Sequence, residues 1–113
     1  MKLNKVDKMT WKEVTDPGAH KVRIKIVLGE PEGVLNFIMR VFEIAPGGNT
    51  PRHSHIWEHE IFVLSGKGVA FANGNDHPIE PGDALFIEPN EEHQVRNPFQ
   101  EPLKFICLIP KIK

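Results

Sequence analysis

Glu60-Ile61-Phe62-Val63-Leu64-Ser65-Gly66-Lys67-Gly68-Val69-Ala70-Phe71-Ala72-Asn73-Gly74, residues 60–74, decide the fold. After Glu60 the run to Leu64 is apolar on both faces, which predicts a central strand, and Ser65-Gly66 turns the chain. Val69 to Ala72 then meets Asn73-Gly74, the strongest two-residue hairpin signal. The rest of the chain repeats this pattern of a short apolar run followed by a proline- or glycine-rich turn. Ten prolines and nine glycines punctuate it, and no segment holds a helical period beyond two turns.

Working outward, Val22, Ile24, Ile26 and Leu28 alternate with Arg23 and Lys25, a half-buried strand ended by Gly29-Glu30-Pro31. Val34 to Ile44 predicts a longer strand closed by Pro46-Gly47-Gly48. On the C-terminal side, Ile79 leads into the turn Pro81-Gly82-Asp83, and Ala84 to Ile87 is a strand ending at Pro89-Asn90. His93 to Arg96 opens the next, and Leu103 to Ile109 is the last. Short antiparallel strands in this number must close into a barrel or pair into a sandwich to cover their edges. The expectation is an all-β single domain over residues 21–113. Residues 1–20 are less patterned, and their Trp11 is expected to dock on the barrel or on a partner subunit.

Composition bounds the function. A chain of 113 residues with 14 Lys+Arg against 15 Asp+Glu, formal charge -1, offers no long-range attraction to nucleic acid or an anionic membrane. The longest apolar runs, such as Phe105 to Ile109, fall far short of the roughly 20 residues a membrane-spanning helix needs. Cys107 is the only cysteine, so no intrachain disulfide can form, and a cytoplasmic location is expected.

The chemistry is carried by histidine. Three fall within seven residues, His53-Ser54-His55-Ile56-Trp57-Glu58-His59, and His93 follows a second turn-rich loop. Imidazole is the commonest protein ligand for divalent transition metals. In an extended segment residues two apart share a side, so His53 and His55 can aim at one ion while Ser54 faces away. On the strand that follows, His59, Ile61 and Val63 share one face.

These residues resemble the cupin family. Its first motif is a glycine, five residues, His-x-His, three or four residues, a glutamate, six residues and a glycine. Here Gly47 is followed by five residues, His53-Ser54-His55, three residues, His59, six residues and Gly66. Histidine thus stands where the family usually has glutamate. Glu60 is the competing assignment, but its distance to Gly66 and its strand parity favour His59. In the second motif Gly82 leads to Glu88-Pro89-Asn90, then His93 and Asn97, with Glu88 replacing a proline and Asn90 a glycine. Asparagine tolerates the left-handed conformation that the glycine would supply.

The chain is especially similar to small manganese-binding single-domain cupins with an all-histidine site. That resemblance implies a double-stranded β-helix (jelly-roll barrel), a homodimer, and a metal at one mouth held by His53, His55, His59 and His93. Manganese is the first expectation and iron the next, although affinity alone favours copper, nickel or zinc. Four neutral imidazoles leave the ion's double charge uncompensated and favour anionic ligands at two open positions.

Behind or beside the ligands, Glu60, Arg40, Phe105 and Cys107 are candidates. Glu60, like Glu58, is a solvated carboxylate or one that orients an imidazole. Arg40 either projects into the barrel to bind an anion or lies at the surface or a dimer salt bridge. Phe105 and Trp57 read first as core, as does Cys107, with a place near the metal as its alternative. His20 and His77 read as surface or core residues. The expected activity is that of a metal-dependent dioxygenase or other oxidoreductase on a small organic substrate. A small-ligand binding module without turnover, or a redox-inert isomerase, is the alternative.

Overall fold

The computed structural model describes residues 1–112. Nine strands run in chain order: β1 (Lys12–Glu13), β2 (His20–Leu28), β3 (Phe37–Asn49), β4 (His59–Ser65), β5 (Gly68–Ala72), β6 (Asn75–Ile79), β7 (Ala84–Ile87), β8 (His93–Arg96) and β9 (Leu103–Pro110). Two 3-10 turns, Val6–Lys8 and Glu30–Glu32, are the only helical pieces among the described residues. The strands form one antiparallel sheet in the order β6-β5-β8-β3-β9-β4-β7, and β2 pairs with β3 off this path. The sheet curls into the double-stranded β-helix of a jelly-roll barrel. Among the described residues no helix is long and apolar enough to cross a membrane.

The inner face is set by register. Ile44 lies opposite Val22 on β2 and Leu103 on β9, and all three are essentially inaccessible to water. One row along, Phe42 faces Phe105, which also faces Val63 on β4. The Phe42 and Phe105 rings stack at 5.4 Å. The next row carries Arg40, Cys107 and Ile61. Each residue in these rows is two from the next along its strand, so each points to the same side.

One strand expectation is met and another is corrected. β4 is central, flanked by β7 and β9, and buries one face. His59, Ile61 and Val63 are buried while Phe62 and Leu64 are exposed, and Phe86 of β7 is exposed beside them. Strand β3 does not stop at Pro46-Gly47-Gly48 but continues to Asn49. Its pairing is carried onward by Gly47 N–H donating to the Asn97 carbonyl at 2.7 Å and Asn97 N–H donating to that of Gly48 at 2.9 Å. β6 is the second arm of the Asn73-Gly74 hairpin and contains Pro78; it lies at an edge of the sheet, where a missing N–H is tolerated.

The second-motif asparagine has a structural task. Asn97 is 1% exposed, yet its side chain donates to the carbonyls of Ile44 (3.0 Å) and Glu101 (2.7 Å) and accepts from Phe99 N–H (3.0 Å). It thereby ties β3 to the β8–β9 loop. Gly66, after β4, has φ +77°, and a Cβ there would lie 2.0 Å from the Pro102 carbonyl oxygen. Neither the dihedral nor the space admits a side chain.

Gly66→Ala is therefore expected to destabilise the fold by more than the ~1–2 kcal/mol of the left-handed conformation alone. Gly74→Ala, with φ +82° and nothing within 4 Å, bears only that conformational cost. Urea denaturation of both variants checks this; equal losses would show that the close approach to Pro102 is unimportant.

Candidate metal centre

The first histidine segment and the second are joined through the backbone. His93 N–H donates to the His53 carbonyl at 2.9 Å, and His53 N–H donates to that of His93 at 3.1 Å. Asn90, with φ 66°, donates its N–H to the His55 carbonyl at 2.7 Å, so the left-handed turn expected at this position clamps the two loops together. His59 opens β4 on its inward face, opposite Ile87. The four rings cluster, with centroid separations of 4.5 Å for His55–His59, 4.9 Å for His53–His93 and 5.2 Å for His59–His93.

Ligand atoms of His53, His55 and His93 lie within 4.8 Å of one another, and these three could hold a metal ion. The His59 Nε2 is 2.7 Å from the His55 Nε2. The hydrogen bonds behind the rings decide which nitrogens are free. A carbonyl oxygen only accepts, so His55 Nδ1 must donate to the Trp57 carbonyl (2.7 Å) and His93 Nδ1 to that of Glu91 (2.8 Å). Each of these rings in its neutral form then presents an Nε2 lone pair to the cluster.

The His93 Nε2 is buried and has no hydrogen-bond partner. Such an orphan costs free energy unless something fills it. Two facing Nε2 atoms at 2.7 Å likewise require a proton or a cation between them. These features fit a divalent metal, and the backbone carbonyls supply the outer-shell acceptors that metal-bound imidazoles ordinarily have.

Three of the rings, His53, His55 and His59, are pushed towards the uncharged form. Burial pushes the His59 imidazole down to about 3 from its ordinary 6.5, with help from the neighbouring Arg40 guanidinium. Burial is also the first cause that lowers His53 and His55. Neutral imidazole is the ligating form.

Behind His59 lies a polar trio. Its Nδ1 is 3.1 Å from Cys107 Sγ and 3.4 Å from a terminal nitrogen of Arg40, which in turn donates to Cys107 Sγ at 3.0 Å. Burial holds the Cys107 thiol above its ordinary range, although the guanidinium pulls it the other way. Arg40 projects inward, and Cys107, 2% exposed, stands next to the histidines rather than in a remote part of the core. Phe105 is core and at the same time wall. Glu60 is on the opposite face of β4 from His59, exposed, and does not line the cavity.

The cavity in front of the histidines measures about 170 Å³ and is mainly apolar. Its walls include Trp57, whose sequence position reads first as core, together with Phe42, Val14 and Asp16. Trp57 stacks on His55 at 4.2 Å with an interplanar angle of 6°, and Phe42 packs against Phe105. Val14 and Asp16 reach the mouth from the segment after β1. No local signal points to Val14 or Asp16, because only β1–β2 pairing and the Val14 N–H bond to the Val22 carbonyl bring them there.

The comparisons agree with this architecture. The cupin domain family model matches residues 40–109. An oxalate-binding protein of Thermotoga maritima is 37% identical over 68 residues, 59% of this chain and 56% of that protein. A 1-methylthio-D-xylulose 5-phosphate methylsulfurylase of Rhodospirillum rubrum is 32% identical over 71 residues, 63% of this chain and 46% of the relative. The chain spans about half the length of these curated relatives. Among solved structures, the polyketide cyclase RemF of Streptomyces resistomycificus superposes with a TM-score of 0.92 at 31% identity, covering 97% of this chain and 79% of that one. A predicted oxalate decarboxylase of Thermotoga maritima gives 0.86 at 26% identity, covering 98% and 100%.

The depressed imidazole of His59 has a consequence for acid stability. Unfolded, it binds a proton near 6.5; folded, only near 3. The unfolded state therefore takes up more protons in between, and stability present above 6.5 is lost as pH falls. Metal-free protein is expected to show a falling Tm from pH 6.5 to 5, above the range where carboxylates titrate. His59→Gln should flatten that slope. An unchanged slope would show that His59 is not held neutral.

Proposed function

The chain belongs to the cupin family, and from that membership and the histidine geometry we propose that it is a metal-dependent enzyme of the oxygenase type acting on a small organic molecule. The observation that carries this is the convergence of His53, His55 and His93 within 4.8 Å, with His59 Nε2 2.7 Å from His55, at the wall of an apolar cavity. In this reading all four imidazoles are ligands, manganese is the first metal and iron the second. Such an ion supplies Lewis acidity and, being redox-active, a means of using dioxygen.

The chain's own residues have separate tasks. The carbonyls of Trp57 and Glu91 hold the proton on the Nδ1 atoms of His55 and His93 and so aim their Nε2 atoms. Phe42, Phe105 and Ile61 exclude water and orient an apolar substrate against the histidines. No carboxylate contacts the histidine rings among the hydrogen bonds of the described residues, and Asp16 is the one carboxylate along the lining. This favours chemistry driven by the metal. A binding module without turnover is the second reading, supported by the name of the Thermotoga maritima oxalate-binding relative.

An oxygen electrode distinguishes the two. Manganese- or iron-loaded protein is expected to consume dioxygen with at least one member of a panel of small enolic, phenolic and alkene compounds, and His59→Ala should lower that rate at least tenfold. Metal-replete protein inert towards the whole panel, yet stabilised against heat by a small carboxylate, would favour the binding module. Turnover by zinc-loaded protein without oxygen would instead identify an isomerase.

A further inference from the structure

Arg40 is a part-buried charge on the inner face of the barrel, and no carboxylate pairs with it. Its partner across β3–β9 is Cys107, which pairs in turn with Ile61 on β4, and both of these neighbours are buried. Its guanidinium stands 4.9 Å over the Phe42 ring, donates to the Cys107 thiol, and lies 3.4 Å from His59 Nδ1. The Arg40 Nε is buried and has no hydrogen-bond partner. The ion pairs among the described residues are Arg23–Glu43, Arg52–Glu92 and Arg96–Asp76, and Arg40 belongs to none.

A guanidinium cannot shed its proton to relieve this situation. Even partial withdrawal of a charge from water is unfavourable unless an opposite charge and good hydrogen bonds offset it. A thiol, an arene and an imidazole edge are weak substitutes. The planar fork, which matches a carboxylate in two-point geometry, thus faces a cavity with donor capacity to spare.

We propose that Arg40 anchors the anionic group of a small ligand, a carboxylate or enolate whose apolar body packs on Phe42, Phe105 and Ile109 beside the histidines. This rests on the reading of the cavity as a small-molecule site next to a metal. The size agrees: about 170 Å³ is close to the ~150 Å³ apolar cavity that accepts a benzene ring. A single ring bearing one carboxylate fits both the volume and the charge. Arg40 then selects ligands by charge, while the apolar walls remain permissive about shape.

Calorimetric titration of the full chain with benzoate and its neutral analogue benzamide, each with and without bound zinc, tests the assignment. Wild type is expected to prefer benzoate at least tenfold in both the zinc-loaded and metal-free forms. Arg40→Met should abolish the preference, and Arg40→Lys should retain part of it, with zinc stoichiometry the same in all three. A preference that survives Arg40→Met, that exists only with zinc bound, or that is absent from wild type would overturn the proposal. Failure of zinc to bind would count against the metal reading alone, because the metal-free arm still reads Arg40.

Discussion

The paired backbone hydrogen bonds between His53 and His93 hold together everything the site requires. One of these residues precedes β4 and the other opens β8, 40 residues later in the chain. Without that bridge the two histidine-bearing segments would be separate loops, each free to turn its imidazoles towards water. With it, the Asn90 N–H to His55 carbonyl bond and the Glu91 and Trp57 carbonyls fall into place behind the rings. The buried Asn97 extends the same logic to the end of β3, binding backbone groups that would otherwise be orphaned. Side-chain orientation at the site is thus a consequence of backbone pairing, which is strong and directional.

The electrostatic character of the cavity follows from what the strands place on its inner face. Arg40 and the histidines are there, while Glu60 and Glu43 are on residues of opposite parity. In the proposed reading, a permanent guanidinium among apolar walls favours anions before any metal is considered. A divalent ion would add to that bias rather than offset it. Asp16, at the mouth, is the acidic residue along the lining, and it comes from the N-terminal segment rather than the barrel.

Most of the fold was legible because strand alternation and turn chemistry are local. Asn73-Gly74 forms the hairpin its sequence predicts, with both residues at positive φ. The parity that preferred His59 to Glu60 is visible in β4, where one is buried and the other exposed. What failed depended on distant partners. Pro46-Gly47-Gly48 looks like a stop, yet hydrogen bonds to Asn97 keep the strand going. Phe62 and Leu64 are apolar, and register puts them on the outer face. The positions of Arg40 and Cys107 stayed open in the sequence for the same reason, since both depend on the β3–β9 register. Val14 and Asp16 were invisible, as nothing near them in the chain points to histidine.

In the proposed site His59 is a metal ligand equal to His53, His55 and His93, in the place where the cupin pattern has glutamate. Extended X-ray absorption fine structure at the metal edge of manganese-loaded protein tests it most directly, by counting imidazoles. Four imidazole ligands are expected in the wild type and three in His59→Ala. Three in both proteins would contradict it.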